Sequence, residues 1–183
     1  MASPPSCNLL LSGGIDSAVT AALLREAHWN VLATWVDLGQ PARAREREAS
    51  SAIAKHFGLA WSSITVSPFV AQPHGEIPGR NDLLVALALA TAPKTPVAIG
   101  IHAGSPYPDN SPQWFGAWID LLDVEYGGAS GVMAPLLDMQ KSEIIGLAER
   151  LDVPIGLTYS CEAADEPCGT CASCLDRRGL DNG

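Results

Sequence analysis

Apolar and polar positions along this chain switch repeatedly between two periods. Leu9–Leu11 is a short apolar run that predicts a strand, and Ala18, Ala21, Ala22 and Leu24 recur at helical spacing and predict a helix over Ser17–Ala27. The same reading gives a strand at Val31–Val36, a helix over Ala42–His56 stopped near Gly58, and an alternating strand at Trp61–Val66. Asn81 is placed to cap a Leu/Ala-rich helix through Ala92. Val97–Ile101 reads as a buried strand, and Gln113–Leu122 as a helix. Ser142–Leu151 reads as a further helix, with Glu143 in its first turn and Arg150 in its last to complement the helix dipole. The Pro-rich segments Ser67–Pro78 and Ala103–Pro112 are expected as long loops, the kind that wall substrates, and Gly179–Gly183 as a frayed end. Alternation of strand and helix predicts an α/β fold, a mostly parallel, doubly wound sheet with helices on both faces. Ligands are then expected beyond the carboxyl ends of the strands, where the strand order reverses.

Length and charge narrow the class. The 183 residues suit a single domain, 1–183, with room for a full core. No apolar run reaches the ~18–20 residues a membrane span needs, and the Met-Ala-Ser-Pro-Pro-Ser start has no basic or apolar signal character, so a cytoplasmic protein is expected. A formal net charge of −9 argues against nucleic acid as substrate, because phosphate backbones are gripped by basic faces. The run Arg43, Arg45, Arg47 is broken by Glu46 and Glu48 and reads as the solvated face of a helix.

The strongest chemistry lies in Ser12-Gly13-Gly14-Ile15-Asp16-Ser17, between the first strand and the first helix. A glycine turn that opens a helix exposes backbone N–H groups to a phosphate, and Ser12 and Ser17 add hydroxyls. Both glycines are expected to permit φ > 0. Asp16 beside a phosphate calls for a bridging cation, for which Mg²⁺ is suited. The loop has neither the lysine of G-x-x-x-x-G-K-[ST] nor the pattern G-x-G-x-x-G. It resembles the S-G-G-x-D-S pyrophosphate loop (PP-loop) of enzymes that cut ATP to AMP and pyrophosphate.

The cysteines form the second signal. Cys7 stands alone and reads as a small buried apolar residue, whereas Cys161, Cys168, Cys171 and Cys174 crowd the C-terminal segment 158–178. Two C-x-x-C spacings sharing Cys171 suit a closed tetrahedral Zn²⁺ site with a structural role, with an iron–sulfur cluster as the competing reading. Three weaker motifs follow the chain: Pro78-Gly79-Arg80-Asn81 opening a helix, Tyr107-Pro108-Asp109 after Gly100-Ile101-His102, and Pro135-Leu136-Leu137 before Lys141-Ser142-Glu143.

Taken together and in order, these pieces, with Gly39-Gln40, resemble the QueC (7-cyano-7-deazaguanine, or preQ0, synthase) family over nearly the whole chain. The sequence departs from the family at Pro41-Ala42, where a basic pair is usual, at Asn110, where cysteine is usual, and in a shorter stretch between Val66 and Pro78.

The resemblance implies ATP-dependent activation of a 7-deazaguanine carboxylate, amidation by ammonia and dehydration to the nitrile. It implies that Ser12, Gly13, Gly14 and Ser17 hold the leaving pyrophosphate, that Asp16 acts with Mg²⁺, and that Lys141 neutralises phosphate charge. Asp37, ending the second strand, is expected to meet the ribose or adenine. Arg80, Asn81, Tyr107 and Asp109 are expected to line the purine-like pocket. Because the departures lie in the substrate loops, a ligase joining the activated deazapurine to another amine, such as a protein N-terminus in an antiviral system, is the main rival. An amidating or tRNA-thiolating PP-loop enzyme and a non-catalytic zinc-stabilised nucleotide-binding module are further alternatives. A homodimer is compatible with the sequence.

Overall fold

The computed structural model describes residues 3–66, 77–102, 104–105 and 107–181. Residues 67–76 of the first predicted loop, and 103 and 106 of the second, lie outside the described residues. The elements run β1 (Ser6–Leu10), α1 (Ile15–Glu26), β2 (Asn30–Asp37), α2 (Arg43–Phe57), β3 (Ala60–Thr65), α3 (Arg80–Thr91), β4 (Val97–Ala98), α4 (Pro112–Tyr126), β5 (Val132–Met133), α5 (Lys141–Arg150) and α6 (Ala172–Asp181). Single 3₁₀ turns stand at Pro108–Asn110 and Ile155–Leu157.

The sheet order is β3-β2-β1-β4-β5 and every strand pair is parallel. The chain winds outward from β1 to β3, then crosses back to place β4 on the other side of β1. Strand order therefore reverses between β1 and β4, which opens a crevice above their carboxyl ends. Both ends carry predicted motifs, Ser12–Ser17 after β1 and Gly100-Ile101-His102 after β4.

Side-chain alternation along and just beyond β1 builds two cores. Cys7, Leu9 and Leu11 pack with Ala18, Val19 and Ala22 of α1, Ile53 and Phe57 of α2, and Ile144 and Leu147 of α5. Leu10 packs on the opposite face with Val85 and Leu89 of α3 and Leu122 of α4. The expected doubly wound architecture follows from this two-sided burial. Asn8 is fully buried in the central strand, and its amide is satisfied: Thr34 Oγ1 donates to Asn8 Oδ1 (2.7 Å) and Asn8 Nδ2 donates to the Ala88 carbonyl (3.3 Å).

Several expected boundaries shift. The Asn81 cap is corrected: Gly79 occupies the N-cap of α3 with φ +67°, and Asn81 lies inside the helix. The predicted α4 extends to both sides, where the Ser111 hydroxyl accepts from the Trp114 N–H (3.2 Å) and Gly127 closes the helix in the left-handed region. Only Val97–Ala98 of the expected Val97–Ile101 strand pair as a strand, although the Ile99 N–H still donates to the Met133 carbonyl (2.9 Å). The chain end expected to fray is helical through Asp181, as part of α6. No helix among the described residues is long and apolar enough to cross a membrane.

Candidate active site

The Ser12–Ser17 loop is shaped by two close approaches. Gly13 has φ +94°, and a Cβ there would stand 2.7 Å from the Glu46 carbonyl oxygen and 2.9 Å from Ala49 Cβ, so the loop lies directly on α2. A Cβ on Gly100 would stand 2.9 Å from both the Asp16 carbonyl carbon and the Ser17 nitrogen, so the segment just after β4 runs close beneath the start of α1. The second glycine corrects the sequence reading: Gly14 is extended (φ −77°) and serves as the N-cap of α1. No side chain caps that helix, so its first amides have no side-chain partner at the cap. The hydroxyls of Ser12 and Ser17 converge at 3.2 Å, and Ser17 donates to the Gly14 carbonyl (2.9 Å).

Asp16, in the first turn of α1, meets side chains from two distant segments. Lys141 Nζ, at the first residue of α5, donates to Asp16 Oδ1 at 2.6 Å. His102 Nε2, beyond β4, stands 3.7 Å from Asp16 Oδ2. All three line a cleft of about 290 Å³ together with Ser12, Gly14 and Ser17. A second cavity of about 480 Å³ is lined by Ile77, Pro78, Asp109 and Trp114, and shares Arg80, Asn81, Tyr107, Asn110 and Glu162 with the first. The structure thus brings the P-G-R-N and Y-P-D turns to the rim of the loop that carries Asp16.

Within that wall the predicted residues divide by what they touch. Asn81 Nδ2 donates to the Asp109 carbonyl (3.0 Å) and to Asn110 Oδ1 (2.7 Å), while the Asn81 backbone N–H donates to Asp109 Oδ2 (3.2 Å). These contacts staple α3 to the 3₁₀ turn, so Asn81 and one Asp109 oxygen are engaged in holding the wall. Asn110, a departure from the family, is part of that staple and also donates to Ser105 Oγ (2.5 Å). Tyr107 donates from its hydroxyl to Glu162 Oε2 (3.1 Å). Asp37 stands at the end of β2 beside the cleft-lining Val36 and Leu38, and its carboxylate accepts from the Gly39 N–H (2.9 Å), tightening the turn after the strand.

Glu46 takes the position facing the cleft from α2. The sequence placed it on a solvated face, which holds for Arg45 and Glu48, an exposed pair at 2.7 Å. Glu46 instead turns inward to line the cleft, and Gln40 Nε2 donates to its Oε2 at 2.6 Å. Burial pushes its carboxyl above the usual carboxylate range, opposed by the Gln40 amide and the Arg80 charge. Only the Gly39-Gln40 motif hinted at this residue, six positions upstream.

The cysteine segment closes the site from above. The Tyr159 N–H donates to the Gly13 carbonyl (2.9 Å), and Arg177 of α6 donates to the Thr158 and Ile155 carbonyls (both 3.1 Å), tying the segment to the loop. The sulfurs of Cys161, Cys168, Cys171 and Cys174 all lie within 4.8 Å of one another. Four sulfurs about 2.3 Å from one ion would lie a little under 4 Å apart, so the cluster fits a tetrahedral metal after slight contraction. Amide N–H groups already point at two of them: Thr170 and Cys171 at Cys168 Sγ, and Cys168 at Cys161 Sγ. Those of Thr170 and Cys171 hold the Cys168 thiol down at about 6, whereas burial pushes Cys174 up to about 12. Cys7 is buried as expected, and burial raises its thiol to about 11.

A parallel sheet with a reversal at β1/β4, and an S-G-G-x-D-S loop at that reversal, define an α/β protein of the PP-loop class. The chain belongs to the QueC family, whose model, described as queuosine biosynthesis protein QueC, matches residues 69–181. Residues 1–79 also match an asparagine synthase model. A 7-cyano-7-deazaguanine synthase of Synechococcus sp. (strain RCC307) is 35% identical, with 92% of this chain and 90% of the relative aligned. The synthase of Methanothrix thermoacetophila is 33% identical over 92% of this chain and 90% of the relative. Among solved structures, NMN synthetase from Francisella tularensis superposes with a TM-score of 0.61 at 18% identity, over 98% of this chain and 78% of that one. A predicted tRNA methyltransferase subunit from Methanocaldococcus jannaschii gives 0.60, also at 18% identity, over 79% and 74% of the two chains. These two structures share the fold.

Proposed function

We propose that this protein uses ATP to activate a 7-deazaguanine carboxylate and converts it, through the amide, to the nitrile preQ0. The observation that carries this reading is the convergence of the Ser12–Ser17 loop, Lys141, and the Arg80 and Tyr107 turns on one cleft. A carboxylate resists attack because its charge repels nucleophiles and its oxygen leaves poorly. Attack of a carboxylate oxygen on the α-phosphorus of ATP expels pyrophosphate and makes AMP the leaving group. Ammonia then displaces AMP to form the amide, and a second adenylation, on the amide oxygen, lets AMP depart as the nitrile forms.

In this reading the chain's own groups orient and neutralise. The α1 amides, Ser12 and Ser17 receive the pyrophosphate, and Lys141 moves its charge from Asp16 towards the phosphates. Asp16, whose Oδ1 accepts from Lys141 and whose Oδ2 faces His102, is the residue that would hold Mg²⁺, whose chemistry is to screen the phosphate charge. Arg80 makes no ion pair within 4 Å among the described residues and is available for the substrate carboxylate. Cys161, Cys168, Cys171 and Cys174 would hold Zn²⁺ as a closed structural site beside the pocket.

A second reading, in which the activated carboxylate is passed to a larger amine such as a peptide N-terminus, is favoured by the roomy Ile77–Trp114 cavity adjoining the cleft. Purified protein supplied with ATP, Mg²⁺, ammonium and 7-carboxy-7-deazaguanine should release AMP and pyrophosphate. The product mass should match the nitrile. ADP as the main nucleotide product would refute the assignment, and a product stopping at an amide or conjugate would favour the second reading.

A further inference from the structure

Arg80 and Glu46 stand on different walls of the same cleft, on α3 and α2. Glu46 feels the Arg80 charge, yet the two form no ion pair within 4 Å. Two opposite charges held apart across a cleft complement a ligand that is anionic at one end and rich in N–H donors at the other.

Glu46 is also built into place. Gln40 is buried and fully committed: its Oε1 accepts from the Leu38 N–H (2.8 Å), and its Nε2 donates to the Val36 carbonyl (3.1 Å) and to Glu46 Oε2 (2.6 Å). Trp35 is 3% exposed and lines the same cleft, and its indole N–H has no hydrogen-bond partner of ordinary geometry. It lies close enough to Glu46 to favour the charged carboxylate. A buried donor left without a partner is costly, and a small shift of Glu46 on binding would satisfy it.

Building on the deazaguanine reading above, we infer that Glu46 is the specificity residue that accepts the adjacent ring N–H and amino N–H donors of the 2-amino-lactam edge, with Gln40 and Trp35 as its positioning residues. An ionised carboxylate has about four acceptor directions, so the bond from Gln40 leaves room for both donors. Paired N–H groups facing a carboxylate are the strong, geometrically specific case. The adenine edge of ATP fits less well, because its ring nitrogen would present a lone pair to the carboxylate. Ammonium has no anionic end for Arg80.

Calorimetry tests this with three probes: 7-carboxy-7-deazaguanine, its analogue without the 2-amino group, and ATP, each on the full chain. Wild type should prefer the 2-amino ligand by about 10–100-fold, the usual scale for a hydrogen bond to a charged group. Glu46→Gln should lose that preference to within about threefold, because its amide donates where the substrate also donates, while ATP affinity stays unchanged. Trp35→Phe keeps the ring and removes the N–H. It should move the acid limb of deazaguanine binding to higher pH, since the indole favours ionised Glu46. Arg80 from α3 and Glu162 from the cysteine segment also face Glu46, with opposite effects, and both are retained in that variant. Unchanged discrimination in Glu46→Gln, or a loss of ATP affinity with discrimination kept, would overturn the inference. If the melting curve shows Glu46→Gln unfolded, the Trp35→Phe pH profile decides, and an unmoved acid limb overturns the inference. Wild type that binds ATP but neither deazapurine would instead overturn the functional reading on which the inference rests.

Discussion

Lys141 reaches across 125 residues of sequence to donate to Asp16 at 2.6 Å, joining the first turns of α5 and α1 at the mouth of the cleft. The contact places a cation beside the phosphate loop, and the sequence could only suggest it from a lysine ahead of a helix.

Lys141→Ala should lower pyrophosphate release by about 100-fold or more, the scale of removing a charge aimed at a transferring phosphoryl group. Stability should fall by only about 1 kcal/mol or less, because the pair is partly solvated. Parallel turnover and thermal melting measurements separate the two effects. A melting loss as large as the activity loss would make the pair structural.

Gly13→Ala should destabilise the fold by about 2–4 kcal/mol, combining a strained φ with overpacking against α2. Gly14→Ala, at an extended backbone position whose nearest neighbour to an added Cβ is 3.5 Å away, should be tolerated far better. Urea unfolding of the two variants should show this asymmetry, although both glycines belong to the same motif.

Metal analysis should find about one Zn²⁺ per chain. Cys171→Ala should lower the melting temperature by more than about 10 °C, because closed thiolate sites contribute several kcal/mol to folding. Cys7→Ala removes one buried sulfur and should cost about 1 kcal/mol. Iron with sulfide in the purified protein, or a stable metal-free chain, would overturn the zinc assignment.

Glu46→Gln should raise the stability of the protein without ligands at neutral pH. Burial lifts the folded carboxyl above its ordinary value of 4.5, so between the two values the folded chain binds a proton that the unfolded chain has lost. Stability of the wild type therefore falls as pH rises through that window, and the deficit persists above it. The advantage of the variant should be present at pH 7 and shrink towards pH 4, as read from melting curves. A constant difference across that range would mean Glu46 carries no titration-linked cost.

The sequence by itself determined the α/β alternation, the two-faced sheet, the phosphate loop and the four-cysteine cluster. Each is a local signal, written in the period of apolar residues or in the spacing of chemically distinctive ones. Tertiary structure decided what depends on distant partners. Val132–Met133 is too short to show a strand period and becomes β5 only by pairing with β4. The last helix is anchored by Arg177 reaching back to Ile155 and Thr158, a contact no local pattern announces. Asn81 has the chemistry of a helix cap but lies two residues too late, because Gly79 takes the cap, and its amide is drawn to the Asp109–Asn110 turn. The inward turn of Glu46 was set the same way. The docking of α2 on Gly13 turns one glutamate out of a mixed-charge run towards Arg80. A charge run has no apolar marker to show which member faces inward, so only the packed fold could single out Glu46.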